Sequence, residues 1–363
     1  MSSNTHKILP YVLKPMSWIY GAVMGVRNWM FDHKVLPQQE YDVPIVSVGN
    51  LTVGGTGKTP HVEYIVGLLS LNYNIAVLSR GYKRKTKGFL LANTNSTPDS
   101  VGDEPLQIFQ KHGNRVKVAV CESRRKGIEE LMRLFPDIQL IVLDDAYQHR
   151  YVKPKVNILL MDYNRPVYED NILPLGRLRE AAHQTSRADM VIVTKCPEGL
   201  PPLSYRLISK KLDLMSYQKL YFSNYVYGGL LPVFPDDKPY NVSLSQLSSR
   251  DTVMLITGIA NPRGFVRHFK SYPFKVVVSH FPDHHDFSRD DLQRIKDKFL
   301  NMKGERKIIV TTEKDAVRLA YNPYFPSQLK QSTFFLPIAV KMIQGLENDS
   351  FISDLEKSIE GKA

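Results

Sequence analysis

Between positions 15 and 31 apolar residues recur at helical spacing, with Trp18, Ile19, Tyr20, Val23, Val26, Met30 and Phe31 among them. The polar residues of that stretch, Ser17, Arg27 and Asn28, are thinly spread. Pro15 fits the first turn of a helix, so the pattern predicts one from 15 to about 31, flanked by Lys14 and Lys34. From Pro44 the period changes. Short β-branched runs at 44–48, 75–79, 116–120, 139–143, 156–161 and 190–194 alternate with helical stretches. That alternation predicts an α/β domain around a mostly parallel sheet. After a proline-rich stretch at 197–202, residues 219–233 read as two extended strands joined at Gly228-Gly229, a ribbon between domains. Strands at 253–257, 275–279, 307–311 and 333–337 then mark a smaller α/β unit. The predicted division is therefore 1–40 (helix), 41–215 (first domain), 216–235 (ribbon linker) and 236–363 (second domain).

A length of 363 residues agrees with two domains, because single cores stop growing near ~250 residues. The net charge of +12 favours anionic partners: phosphates, acidic lipid headgroups or nucleic acid. No aromatic-interleaved basic surface or known nucleic-acid module stands out, so no nucleic acid is expected, and no protein partner is predicted. Only Cys121 and Cys196 are present, which excludes a disulfide framework or cysteine zinc cluster and fits a reducing cytosol. No secretory signal is expected at the polar N-terminus. The longest apolar run, 18–26, ends at Arg27, well short of the ~20 residues a span requires. Both tryptophans of the chain, Trp18 and Trp29, lie on the first helix. Periodicity leaves two readings of it open, a helix packed on the core and one lying in a membrane interface.

The sharpest motif is Thr52-Val53-Gly54-Gly55-Thr56-Gly57-Lys58-Thr59, between an apolar strand and a helical pattern. That is the setting of a P-loop, whose glycines let backbone N–H groups converge on phosphates at a helix N-terminus. Lys58 would reach the β- and γ-phosphates of ATP, and the Thr59 hydroxyl would hold Mg²⁺. Thr52 stands where the motif usually has its first glycine. Leu140-Ile141-Val142-Leu143-Asp144-Asp145 supplies the apolar strand ending in carboxylates that Mg²⁺ needs. Gln148, His149 and Arg150 follow at the sheet edge where α/β folds bind substrates.

With these residues the chain resembles the tetraacyldisaccharide 4'-kinases of lipid A synthesis. The resemblance runs through Val48-Gly49-Asn50-Leu51 into the P-loop, then Leu78-Ser79-Arg80-Gly81-Tyr82 and Gly102-Asp103-Glu104-Pro105. It continues in Leu143-Asp144-Asp145-Ala146-Tyr147-Gln148-His149-Arg150 and in Leu173-Pro174-Leu175-Gly176-Arg177-Leu178-Arg179-Glu180. In the second domain it is carried by Gly258-Ile259-Ala260-Asn261-Pro262, Phe281-Pro282-Asp283-His284-His285 and Thr312-Glu313-Lys314-Asp315-Ala316-Val317. Thr52 is usual for that family, whereas Lys83, Ala146-Tyr147 and Arg177 depart from it.

The resemblance implies a P-loop kinase fold with a second α/β domain closing over the site. It implies transfer of the ATP γ-phosphate to the 4'-hydroxyl of a lipid-anchored glucosamine disaccharide 1-phosphate, at the cytosolic face of the inner membrane. It also implies a membrane-associating N-terminal helix and an anionic membrane surface as partner. The family's catalytic dyad falls on Asp103 and His284, with Glu180 as a third Mg²⁺ contact beside Asp144 and Asp145. From residue type alone, Asp103 equally reads as a helix N-cap, and His284 as a solvated loop histidine or half of a metal pair. Asn50, Arg80, Gln148, His149, Arg150 and Arg179 are candidate substrate contacts, and Arg124 is a further candidate cation. Lys314 and Asp315 stay open, since Thr312 and Asp315 also suit a capping box. Two rivals remain. A P-loop switch acting on water often carries lysine where Val53 stands, and a soluble small-molecule kinase would keep its first helix in the core.

Overall fold

The computed structural model describes residues 5–343 and 350–361, with side chains from residue 13. Nine strands form one sheet: β1 (Ile45–Gly49), β2 (Ile75–Ser79), β3 (Leu90–Leu91), β4 (Lys117–Val120), β5 (Leu140–Asp144), β6 (Val156–Asp162), β7 (Met190–Thr194), β8 (Lys219–Tyr227) and β14 (Ile338–Ile343). Their order is β14-β8-β7-β6-β1-β5-β2-β4-β3, with β4 through β8 parallel and β3 and β14 antiparallel at the edges. A five-stranded sheet holds β9 (Leu231–Pro232), β10 (Thr252–Thr257), β11 (Lys275–His280), β12 (Lys307–Thr312) and β13 (Thr333–Leu336), in the order β11-β10-β12-β13-β9.

The central strands are buried along their whole length, as parallel strands covered on both faces must be. Val46, Val48, Leu140, Val142 and Ile158 point to one face, where α2 (Lys58–Leu69), α4 (Asp103–His112) and α11 (Phe351–Glu360) pack. The four-residue helix α3 (Pro98–Val101) leads into α4. On the opposite face α5 (Arg124–Leu134) covers Ile141 and Leu143, while α6 (Pro202–Leu212) covers Leu159, Val191 and Val193. The smaller sheet has its own two cores, built with α7 (Arg263–Lys270), α8 (Arg289–Asn301), α9 (Glu313–Ala320) and α10 (Ser327–Lys330).

Two elements depart from the sequence pattern. The first helix, α1, runs Thr5–Asp32, so Pro10 and Pro15 both lie inside it. Each proline removes one i→i−4 bond, and the helical stretch continues through both. The expected hairpin ribbon does not form. Strand β8 pairs with β14, more than a hundred residues away, and Gly228-Gly229 carries the chain across to β9 in the other sheet. The return passes through Pro337, between β13 and β14.

Candidate active site

The chain leaves β1 at Gly49 and enters α2 at Lys58, and the loop between them takes left-handed turns at Gly54 (φ 76°), Gly55 (φ 64°) and Gly57 (φ 87°). Gly57 has no room for a side chain, because a Cβ there would sit 1.7 Å from the Tyr225 hydroxyl. The loop is braced from several elements. Thr194 donates to the Thr56 carbonyl at 2.9 Å, and Lys195 donates to the Gly55 carbonyl while pairing with Asp162 at 2.7 Å. His61 binds the Gly57 carbonyl through Nδ1 (2.7 Å) and Ser223 through Nε2 (2.9 Å), and burial pushes its pKa down to about 4. Asn50, expected at the substrate, is fully buried instead, and its amide donates to Thr56 Oγ1 at 2.7 Å. Its amide also reaches Thr52 Oγ1 at 3.4 Å, so it ties the two ends of the loop together.

Lys58 begins α2 and lies 3.6 Å from Asp145, which Arg179 also meets at 3.3 Å. Burial opposes ionisation of Asp145, yet the charges of Lys58 and Arg179 hold it below the usual carboxylate range. Asp144 is the reverse case. Burial, then the charges of Glu104 and Asp145, push it up to about 7. Its Oδ2 accepts from Ser79 at 3.3 Å, and its Oδ1 is buried with no partner. A buried orphan carboxylate oxygen next to Asp145 and near Lys58 suits Mg²⁺, which takes one or two carboxylates together with phosphate oxygens and waters. Glu180 does not join this set. It is fully buried, paired with Arg187, and its other charged neighbours are Arg27 and Arg150. Backbone pairing of Arg179 with Leu51 aims successive side chains to opposite sides, so Arg179 meets the acids and Glu180 turns beneath α1. Among the described residues no three His, Cys, Asp or Glu side chains converge as metal ligands.

Asp103 starts α4 behind Gly102, whose φ of 91° serves the helix entry, and no side-chain cap forms there. Freed from capping, Asp103 faces the second sheet. Arg318 of α9 donates to its Oδ2 through Nε (2.8 Å) and through the terminal Nη2, and His284 Nδ1 lies 3.4 Å from the same oxygen. Burial opposes ionisation, but the His284 contact and the Arg318 charge outweigh it and hold Asp103 well below the usual carboxylate range. His284 itself is pinned at φ 56°, with its N–H on the Gly258 carbonyl and its own carbonyl accepting from Lys83 at 2.6 Å. Lys314 joins His284 Nε2 (2.8 Å) to Glu104 (3.0 Å). Asp315 is buried and structural: it accepts from the Gly258 N–H (2.8 Å) and Thr312 Oγ1 (2.7 Å), and Arg318 braces its other oxygen at 3.1 Å.

A family model described as tetraacyldisaccharide-1-P 4'-kinase matches residues 9–360. The chain belongs to that family. It is 48% identical over 346 residues to the tetraacyldisaccharide 4'-kinase of Bacteroides thetaiotaomicron, covering 93% of this chain and 90% of the relative. The corresponding protein of Phocaeicola vulgatus is 45% identical, covering 95% and 93%. Among solved structures, LpxK from Aquifex aeolicus in complex with ATP superposes with a TM-score of 0.72 at 28% identity, covering 98% and 99% of the two chains.

In this tetraacyldisaccharide 4'-kinase family member the candidate substrate contacts divide. Arg179 and Gln148 bond each other at 3.2 Å beside Asp145, and Gln148 also donates to the Asn50 carbonyl at 2.9 Å. Arg80 is exposed at the end of β2, near His149, whose pKa burial and then the charges of Arg124 and Arg80 push down to about 4. Arg124 is buried and donates to the Cys121 and Asp144 carbonyls, so it holds the acid strand's end in place. Arg150 turns to α1 instead: its buried guanidinium donates to the Asn28 carbonyl (3.1 Å) and to Asp32 (2.5 Å). Sequence reasoning missed Arg318, one residue past the quoted Thr-Glu-Lys-Asp-Ala-Val run and one turn from Asp315. It also missed Lys195, Asp162 and Tyr225, which reach the P-loop from distant strands and carry no local signal.

Proposed function

We propose that the chain transfers the γ-phosphate of ATP to the 4'-hydroxyl of a tetraacylated glucosamine disaccharide 1-phosphate, on the cytosolic face of the inner membrane. The observation that carries this reading is the approach of the Asp103–His284 pair to the P-loop lysine: Lys314 joins His284 to Glu104, and the charge of Lys58 acts on Glu104. Lys58 and the loop N–H groups hold the triphosphate. Thr59, Asp144 and Asp145 would hold Mg²⁺, which supplies charge neutralisation at the β- and γ-phosphates. The sugar oxygen bonds to the γ-phosphorus as the bond to the β,γ-bridging oxygen breaks, and ADP leaves with that electron pair. Asp103 takes the hydroxyl proton. It is a weak base kept ionised, which suffices where the proton leaves late and position dominates. We also propose that the smaller unit closes over this site and supplies His284; it spans 231–336 rather than 236–363, because β14 and α11 return to the large sheet.

The membrane part of the reading rests on α1. Its polar residues face the protein: Ser17 donates to the Ile172 carbonyl (2.7 Å), Tyr20 to that of Arg179 (3.1 Å) and Arg27 to that of Gln148 (3.0 Å). Phe31 is buried, but most of the described apolar residues face outward, with Met16, Trp18, Ile19, Val23, Val26 and Trp29 all 53–68% exposed. Full transfer of one such side chain out of water is worth about 1.5–3 kcal/mol. No described helix is long and apolar enough to cross a membrane, so an interfacial position suits α1. The test is acceptor dependence. ATP consumption that requires the lipid disaccharide and yields its phosphate monoester fits the kinase; the same consumption with and without lipid fits a switch that uses water and refutes the reading.

A further inference from the structure

We infer that Lys314 is a positioning residue that fixes the ring tautomer of His284, keeping the proton on Nδ1, where it faces Asp103. This rests on the Asp103–His284 reading above. A neutral imidazole has one N–H and one acceptor nitrogen, whereas a lysine ammonium and an arginine guanidinium have only donors. His284 meets a cation at each nitrogen: Lys314 Nζ lies 2.8 Å from Nε2, and Arg318 Nη2 lies 3.0 Å from Nδ1. Only one of those contacts is a hydrogen bond. The Asp103 carboxylate decides which, because its negative Oδ2 lies 3.4 Å from Nδ1 and draws the ring proton to that side. The Nδ1 proton therefore has a carboxylate partner, and Nε2 accepts from Lys314. The Arg318 contact is then mere proximity, since both groups converge on Asp103 Oδ2.

Lys314 is held for this task. Its ammonium also binds Glu104 Oε1 at 3.0 Å and lies 3.8 Å from Asp283, so three groups fix where it points. Glu104 directly follows Asp103 on α4. Lys314 thus aligns both partners of the dyad, the ring through Nε2 and the first turn of α4 through Glu104. Without it, Nε2 loses its donor and the ring is free to adopt the other tautomer, which turns a lone pair toward the Asp103 carboxylate and breaks the pair.

The experiment is ¹⁵N NMR of the ring nitrogens in full-length protein labelled at histidine, with His284 assigned by its loss in His284→Gln. The expected result for the wild type is an Nδ1–H, unprotonated Nε2 pattern. In Lys314→Met the Nε2–H form appears and kcat falls by about 10–100-fold, the range of a mispositioned acid–base group, with the KM for ATP within about twofold. Lys314→Arg, which keeps a donors-only cation, retains the Nδ1–H form and most of kcat. The other histidine signals report whether each variant is folded, and a variant with dispersed wild-type signals elsewhere is the one compared. An Nε2–H form in the wild type, or an unchanged Nδ1–H form in Lys314→Met, overturns the inference. Neither result touches the kinase reading, which fails separately if Asp103→Ala still phosphorylates the lipid.

Discussion

Asp103 carries its charge in a pocket that would favour the neutral acid were Arg318 and His284 not there. That balance makes a directional prediction. Removing the guanidinium in Arg318→Gln raises the Asp103 pKa, so more of the base is protonated at low pH. The acid limb of the kcat/KM profile, which in the wild type lies below the usual carboxylate range, then moves to higher pH, measured from pH 3 to 9; a limb that stays in place contradicts the assignment. Asp103→Asn, by contrast, lowers kcat by at least about 100-fold at every pH, as loss of a general base does. The P-loop lysine was legible from sequence because strand, glycines, lysine and threonine all fall within 45–59, and the acid strand because an apolar run at 140–143 ends in two aspartates. Asp103 and His284 were legible only through the resemblance. By residue type each had an ordinary alternative, and the cap reading of Asp103 failed because Gly102 takes the capping position without a side chain. Arg150 and Glu180 were placed by proximity to a motif, whereas in the fold α1 draws both into polar contacts with Asn28 and its neighbours.

At the scale of elements, α1 is the informative case. A helix docked by Ser17, Tyr20, Arg27 and Asn28, with tryptophans outward, reverses the usual amphipathic arrangement. Periodicity could not decide between core and interface, because spacing states which residues share a face and not what covers it. Replacing Trp18 and Val26 by Glu leaves the docking bonds intact and is expected to weaken co-sedimentation with anionic vesicles by at least about tenfold, given ~1.5–3 kcal/mol per buried apolar side chain. Unchanged sedimentation would show that the exposed stripe serves something else. The β8–β14 pairing was invisible for a different cause: β8 reads as half of a local hairpin, and its true partner lies beyond the whole second sheet. Strand identity is local, while strand partnership is a property of the closed fold.

Across the whole molecule, the two units meet at α4 through ion pairs: Asp103 with Arg318, Glu104 with Lys314, and Lys111 with Glu313 at 2.6 Å. Lys111 also binds Glu63 at 2.7 Å. One cation shared by two carboxylates cannot satisfy both in a buried setting, and burial pushes Glu63 up from 4.5 to about 7. The folded protein therefore keeps a proton on Glu63 over a window in which the unfolded chain has lost it. Stability from this group is present below pH 4.5, falls as pH rises toward 7, and is constant above. Glu63→Gln removes that slope, so variant minus wild-type stability should rise by about 2–4 kcal/mol between pH 4.5 and 7.5, read by denaturant or thermal unfolding. A flat difference would mean that Glu63 is ionised throughout.

The central claim is that this assembly moves phosphate from ATP to a lipid-borne sugar with Asp103 as base. The measurement that tests it most directly follows γ-labelled ATP with the disaccharide 1-phosphate lipid in detergent, using the wild type beside Asp103→Ala and Lys58→Ala. Label on the 4' position in the wild type, lost in both variants, is the predicted result. Label that persists in Asp103→Ala, or that appears only as free phosphate in the wild type, would contradict it.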